Sequence, residues 1–299
     1  MPWKKNIGSN DEYYYKPIKT KERIIQQDRL KEHGYKTGQF SPKFFENIEK
    51  ELSLTERGYW AYAIDGDGCV GKNHNGLRVK IALSDLEPIQ HLSNIYKTSI
   101  SVAEYPEDEH HKPNYITRLY GKRAIHFLRL ICPYMTEKRK KATQLINIFD
   151  PNYHPAKIPM NFLKYPELIS AHMGMVGGFF DTEGSVGIKV RIQKLKTKIY
   201  HCLTGWINFS NSDPRPIRKI KKILETPPLS FKSTFHRFSE RPRKRKNGKK
   251  CKVMYRLDIL ASQHLLFMKM FSPWILITRK REYADKFERK KQIYEMCKK

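Results

Sequence analysis

The chain has 299 residues, of which 39% are hydrophobic and 29% charged, and its formal net charge is +28. That length can fill two full cores, and so large a positive charge calls for an anionic partner, nucleic acid first. No apolar run reaches the roughly 18 residues that span a bilayer, which argues against a membrane partner, and five scattered cysteines without a Cys-x-x-Cys pair indicate neither a zinc site nor a disulfide framework.

Residues 1–52 read as a basic extension. Tyr13-Tyr-Tyr15, Lys16, Lys19, Lys21 and Arg23 interleave rings with cations. Two readings stand side by side: an arm along a nucleic-acid backbone, or a tail whose helix near 41–52 packs on the next domain. The first domain is placed at 53–149. Thr55 is expected to cap a helix with Glu56 in its first turn, and that helix runs into Ala63-Ile-Asp-Gly-Asp-Gly-Cys-Val70. From Val70 to Leu83 the pattern turns to strands. Leu77, Val79, Ile81 and Leu83 share one face, and Arg78 and Lys80 project from the other. A basic face on a half-buried sheet suits a DNA groove. Ser84-Asp85 then caps a helix carrying Pro88, Ile89, Leu92 and Ile95. A strand pair follows at about 99–120, then a helix over 122–131, a break at Pro133-Tyr134, and a basic helix over 136–149.

Residues 150–165 are proline-rich and read as a linker. The second domain, 166–299, repeats the plan. Gly178-Phe-Phe-Asp-Thr-Glu-Gly-Ser-Val186 echoes the first motif at an offset of 116, so that Glu183 stands where Asp67 stood. Ser212-Asp-Pro-Arg-Pro-Ile217 echoes Ser84-Asp-Leu-Glu-Pro-Ile89 at 128, and Phe267–Trp274 echoes Phe127–Tyr134 at 140. The chain is therefore an internal duplication, its second copy longer by twelve residues in each of two segments. The first gain predicts a longer hairpin, with Lys189 and Arg191 as DNA contacts. The second contains the basic run 241–252, where Arg243, Lys244, Arg245 and Lys246 are expected to meet phosphate.

The chemistry is expected at Asp67 and Glu183. The C-terminal end of a helix carries partial negative charge and disfavours an anion. An acid kept there in both copies suggests a pair of carboxylates around divalent metal. Hard oxygen ligands suit Mg²⁺ (or Mn²⁺), completed by water and phosphate. Asp65 and Asp181, two residues earlier, read as braces of the helix ends. No protein nucleophile is evident. His110-His111 lies among Glu107, Asp108 and Glu109 but matches no ligand spacing, and His172 reads as a packed or capping residue. Trp60, Phe179 and Phe180 read as core.

Val176-Gly-Gly-Phe-Phe-Asp-Thr-Glu-Gly184 and Trp60-Ala-Tyr-Ala-Ile-Asp-Gly-Asp-Gly68 resemble the two signature motifs of a single-chain LAGLIDADG homing endonuclease. Gly121–Lys138 is similar to the last third of such a domain. The likeness covers most of 53–299; Tyr62 departs from it, standing where the family usually has Gly. The resemblance implies an α+β fold of two tandem αββαββα domains in a pseudo-twofold arrangement, each with a saddle-like antiparallel sheet. It implies motif helices packed through small residues, for which Ala61, Ala63, Gly177 and Gly178 fit. It implies a monomer that cuts both strands of a long asymmetric duplex. It also gives Lys138 a place near the metal-bound water and the scissile phosphate. In the same register after the Pro-aromatic break the second copy has Thr278, so the two halves of the site are expected to be unequal. An RNA-splicing maturase binding its intron, and a non-cleaving DNA-binding regulator, are the alternatives. Scattered thiols and the lack of a signal-peptide core fit an intracellular, non-secreted protein.

Overall fold

A computed structural model describes residues 15–17, 40–73, 76–103, 113–162, 164–195, 198–238 and 253–296. After a short strand β1 (Tyr15–Pro17) and a helix α1 (Pro42–Glu51), the order is α2 (Leu54–Asp67), β2 (Gly68–Asn73), β3 (Gly76–Leu83), α3 (Leu86–Tyr96), β4 (Ile100–Ala103), β5 (Asn114–Tyr120), α4 (Gly121–Ile131) and α5 (Arg139–Ile146). The second half runs α6 (Ile169–Glu183), β6 (Gly184–Leu195), β7 (Lys198–Asn211), α7 (Pro214–Glu225), β8 (Ser233–Phe238), β9 (Met254–Ile259), α8 (His264–Phe271), α9 (Thr278–Arg281) and α10 (Tyr283–Met296). Both halves thus contain αββαββα. The sheets are antiparallel, in the orders β1-β4-β5-β3-β2 and β6-β7-β9-β8.

The period-2 pattern places the sheets. Leu77, Val79, Ile81 and Leu83 are buried while Arg78 and Lys80 alternate outward, because successive strand side chains point to opposite faces. β6 and β7 are each six residues longer than β2 and β3, which is where the repeat offset grows by twelve. The second expected insertion, 241–252, lies outside the described residues, as does His110-His111.

Of the two readings of the first fifty residues, the described part supports the packed helix. Phe44, Ile48 and Leu52 are buried, and Arg57 ties α1 down by donating to the Glu49 and Leu52 carbonyls. Two capping expectations are corrected. Ser53, not Thr55, caps α2, in a reciprocal capping box with Glu56; Thr55 is a buried residue inside the helix. Asp85 stands at the start of α3 without accepting from its amides, because its carboxylate is engaged elsewhere. Among the described residues no helix is long and apolar enough to cross a membrane.

Candidate active site

The two motif helices α2 and α6 pack against each other so closely that glycine is required. A Cβ added at Gly58 would stand 2.0 Å from the Ala171 carbonyl oxygen, and one at Gly174 would stand 1.9 Å from that of Thr55. Gly58 and Gly174, and likewise Thr55 and Ala171, are 116 residues apart, so the contact is the same one made twice about a pseudo-twofold axis. Gly66 faces Thr182, its own repeat partner, with a Cβ position 2.4 Å from the threonine hydroxyl. Gly178 joins the interface as expected, against the Tyr59 carbonyl. Gly177 does not: it faces the Trp274 carbonyl within its own half. Tyr62 is accommodated because its hydroxyl hydrogen-bonds the Thr136 hydroxyl at 2.9 Å and its ring meets Phe179 edge-on. Trp60, Phe179 and Phe180 are fully buried, as their helical spacing predicts.

This packing brings the ends of α2 and α6, and so Asp67 and Glu183, to one place. Glu183 is pushed up to about 7, first by desolvation and next by the charge of Asp67. Burial also raises Asp67, against the pull of Lys138 and Lys280. Asn211, at the end of β7, donates to the Glu183 carboxylate at 3.1 Å. Each acid is followed at once by a strand, β2 or β6. A recess of about 370 Å³ beside Asp67 is lined by Asp85, Asp181, Thr182, Arg279 and Lys280.

Asp65 and Asp181 are braces, as their position two residues earlier suggests. Asp65 accepts from the amides of Thr136, Glu137 and Lys138 at 2.5, 3.2 and 2.9 Å. Asp181 accepts from Leu276 and Ile277 at 2.7 and 3.3 Å, and from the Tyr59 hydroxyl of the opposite helix at 2.7 Å. Burial still raises Asp181 to about 6. These bonds fix the segments that carry two lysines. The Lys138 ammonium donates to the Ile64, Asp65 and Gly66 carbonyls at 2.7, 2.7 and 3.1 Å. The Lys280 ammonium donates to Phe180, Asp181 and Gly184 at 2.5, 2.8 and 2.7 Å. Each brings a cation to the carbonyl end of a motif helix, where the helix dipole favours positive charge. Burial lowers Lys280 to about 8.

The expectation of unequal halves through Thr278 is therefore corrected. Leu276 and Ile277 bond Asp181 at the same distance from the proline as Thr136 and Glu137 bond Asp65, and the second copy has two more residues between that pair and its lysine. Lys280, not Thr278, is the counterpart of Lys138. Next to it, Arg279 reaches across to the first half and holds Asp85 through two bonds of 2.8 Å. Sequence reasoning missed Asn211, Gly58 and Gly174, and weighed Lys280 only as a long neighbour of Thr278 able to reach back. For the two glycines a signal existed, since they share the offset 116.

Of the expected DNA contacts, Arg78 and Lys80 lie on the outer face of β3, and Lys189 is exposed on β6. Arg191 is in β6 but its side chain, like Arg243, Lys244, Arg245 and Lys246, lies outside the described residues. His172 is buried against Phe162 with Nδ1 2.7 Å from the Leu168 carbonyl, a packed residue.

Asp67 and Glu183 are the side chains that could hold a divalent ion here. Two carboxylates with raised proton affinity meet there, and no group of three or more His, Cys, Asp or Glu side chains gathers among the described residues. A tetrahedral zinc site or an all-protein calcium cage needs more. Mg²⁺ is commonly held by one or two carboxylates and completed by water and phosphate.

No family model matches the chain, and no curated protein does. Three solved structures are similar to it: LAGLIDADG meganuclease I-AabMI bound to uncleaved DNA (12% identity, TM-score 0.48, covering 81% of this chain and 91% of that one), LAGLIDADG homing endonuclease I-GzeII in complex with its DNA target (10%, 0.39, 81% and 91%), and homing endonuclease I-WcaI bound to its DNA recognition sequence (13%, 0.41, 87% and 96%).

Proposed function

We propose that this chain is a two-motif LAGLIDADG endonuclease, a monomer that hydrolyses both strands of a long, asymmetric DNA duplex. The observation that carries the reading is the meeting of Asp67 and Glu183 at the ends of two packed helices, each acid leading directly into a sheet with cations on its outer face. Bound there with water and phosphate oxygens, Mg²⁺ (or Mn²⁺) would lower the pKa of a water and steady the leaving oxygen. The chain's own groups do the rest. Asn211 fixes the Glu183 carboxylate. Asp65 and Asp181 hold the lysine segments in register. Lys138 and Lys280 cancel the negative ends of the helices and offset charge building on phosphate. Arg78, Lys80 and Lys189 bind the duplex, chiefly through its backbone. A maturase or a non-cleaving regulator would need neither acid at its helix end, and both are present.

Two similar lysines predict two similar losses. Lys138→Met and Lys280→Met should each slow cleavage by about 10²-fold, the usual effect of removing one charge-stabilising donor, with little change in binding. Single-turnover cleavage of duplexes labelled on either strand should show each variant slowing one strand more than the other. Wild-type rates on both strands for folded Lys280→Met would leave Lys280 a structural cap alone.

The metal reading has a test that needs no DNA. The folded pKa of Glu183 lies above its ordinary value near 4.5, so the folded state binds the extra proton between about 4.5 and 7. Stability contributed by this group is therefore lost as pH rises through that window. In EDTA at pH 8, Glu183→Gln should raise Tm above wild type. Mg²⁺ should raise the wild-type Tm more at pH 8 than at pH 5.5, and the Asp67→Asn, Glu183→Gln pair of changes should remove the shift. A wild-type Tm indifferent to Mg²⁺ and Mn²⁺ at pH 8 would contradict a metal here.

A further inference from the structure

The outer face of the second sheet carries an acid where a DNA-binding surface has least use for one. Asp258 lies near the end of β9, directly opposite Asn208 of β7 and Thr234 of β8. Its neighbours along the strand, Leu257 and Ile259, are buried in the core, so strand alternation turns Asp258 and Arg256 to the other face. Arg256 holds Asp258 from two nitrogens, with Nε and a terminal nitrogen 2.8 and 2.7 Å from the same carboxylate oxygen, Oδ1. Among the described residues, the second oxygen, Oδ2, has His236 near it, at 3.8 Å. The side chains are 37% and 30% exposed, in the same layer as Trp206, whose indole donates to the Ser185 hydroxyl of β6 at 3.3 Å.

An anionic side chain on this face repels phosphate, against the trend of a chain whose net charge is +28. It is useful where a base presents a donor. In the major groove a carboxylate accepts from the amino group of cytosine, and an arginine whose fork is held in plane donates to O6 and N7 of guanine. Asp258 is suited to both tasks at once: one oxygen fixes the Arg256 guanidinium, and the other accepts no hydrogen bond from the described residues. Strand side chains can reach base edges because a two-stranded ribbon fits the major groove.

We infer that Arg256 and Asp258 together read a G·C base pair, or two adjacent pairs that supply one guanine and one cytosine, in the half-site bound by the second sheet. The inference rests on the nuclease reading and names part of its target.

The test is selection from a randomised duplex library with Ca²⁺ in place of Mg²⁺, comparing wild type with Arg256→Ala and Asp258→Ala. Wild type should select a site with a G·C preference at one or two adjacent positions of one half. Both variants should lose that preference by about tenfold or more and keep the preferences elsewhere. Asp258→Ala should bind random duplex at least as tightly as wild type, since it removes a repulsive charge; that retained binding also shows the variant to be folded. If wild type selects a site and both variants select it unchanged, the inference is wrong and the nuclease reading stands. The inference is equally wrong if the altered position prefers A·T. If wild type binds no duplex, the nuclease reading fails and takes the inference with it.

Discussion

Asp67→Asn and Glu183→Gln are each expected to lose double-strand cleavage by about 10³-fold, with duplex binding intact. Each substitution keeps the shape of the side chain and removes the charge that would hold a divalent ion at the helix ends. Charge stabilisation by such an ion is worth several kcal/mol, and each 1.4 kcal/mol is about tenfold in rate. Losing one acid from either half should affect both strands, because the charge of Asp67 reaches Glu183 and both acids lie within the influence of both lysines. Binding should hold, since neither change removes a cation. Single-turnover cleavage and gel-shift affinity on one duplex separate the two effects. Near-normal cutting by either variant would remove that acid from the reaction.

Gly58→Ala and Gly174→Ala are expected to destabilise the fold by about 3 kcal/mol or more each, on the scale of overpacking in a close-packed interior. Helix propensity alone argues the other way, since alanine is better than glycine inside a helix by about 1 kcal/mol. The sign is therefore decided by the contact. A methyl group 2.0 or 1.9 Å from a backbone carbonyl oxygen cannot be absorbed by a rotamer, and the helices must part by about an ångström. Parting them opens the layer of Trp60, Tyr62 and Phe179, all fully buried. A single domain has only about 5–15 kcal/mol in hand, so the double substitution should not fold. Urea unfolding measures each step; a gain of about 1 kcal/mol from either alanine would mean that the helices do not meet there.

The duplication explains how much of this was legible. Asp67 with Glu183, and Asp65 with Asp181, recur at one offset and at helix ends, where chain direction and dipole restrict what an acid can do. The strand faces followed from period 2, because each sheet buries one side only. What failed was counting along the chain from a proline. The amides that bond the bracing carboxylate keep the same spacing from the proline in both halves, Thr136 and Glu137 in one and Leu276 and Ile277 in the other. The two extra residues come after Ile277, so that Lys280 and not Thr278 reaches the Phe180, Asp181 and Gly184 carbonyls, a register that belongs to tertiary hydrogen bonds. Asp85 shows the same limit: its sequence suits a helix cap, and a guanidinium 194 residues away takes the carboxylate. The family resemblance puts Gly177 in the helix interface, but the face a helical glycine presents depends on rotation about the axis, and Gly177 meets Trp274. The Tyr59–Asp181 bond crosses the two halves and has no counterpart in the repeat, so self-comparison gives no hint of it.

The central claim is that the paired acids make a nuclease and not merely a DNA-binding surface. Its most direct test takes the wild-type protein, a duplex recovered by selection, and Mg²⁺, with the new ends of both strands mapped and an EDTA control alongside. The expected result is one staggered cut in each strand between the two half-sites, abolished by EDTA. A duplex bound tightly at that site, yet intact on both strands in Mg²⁺ and in Mn²⁺, would contradict it.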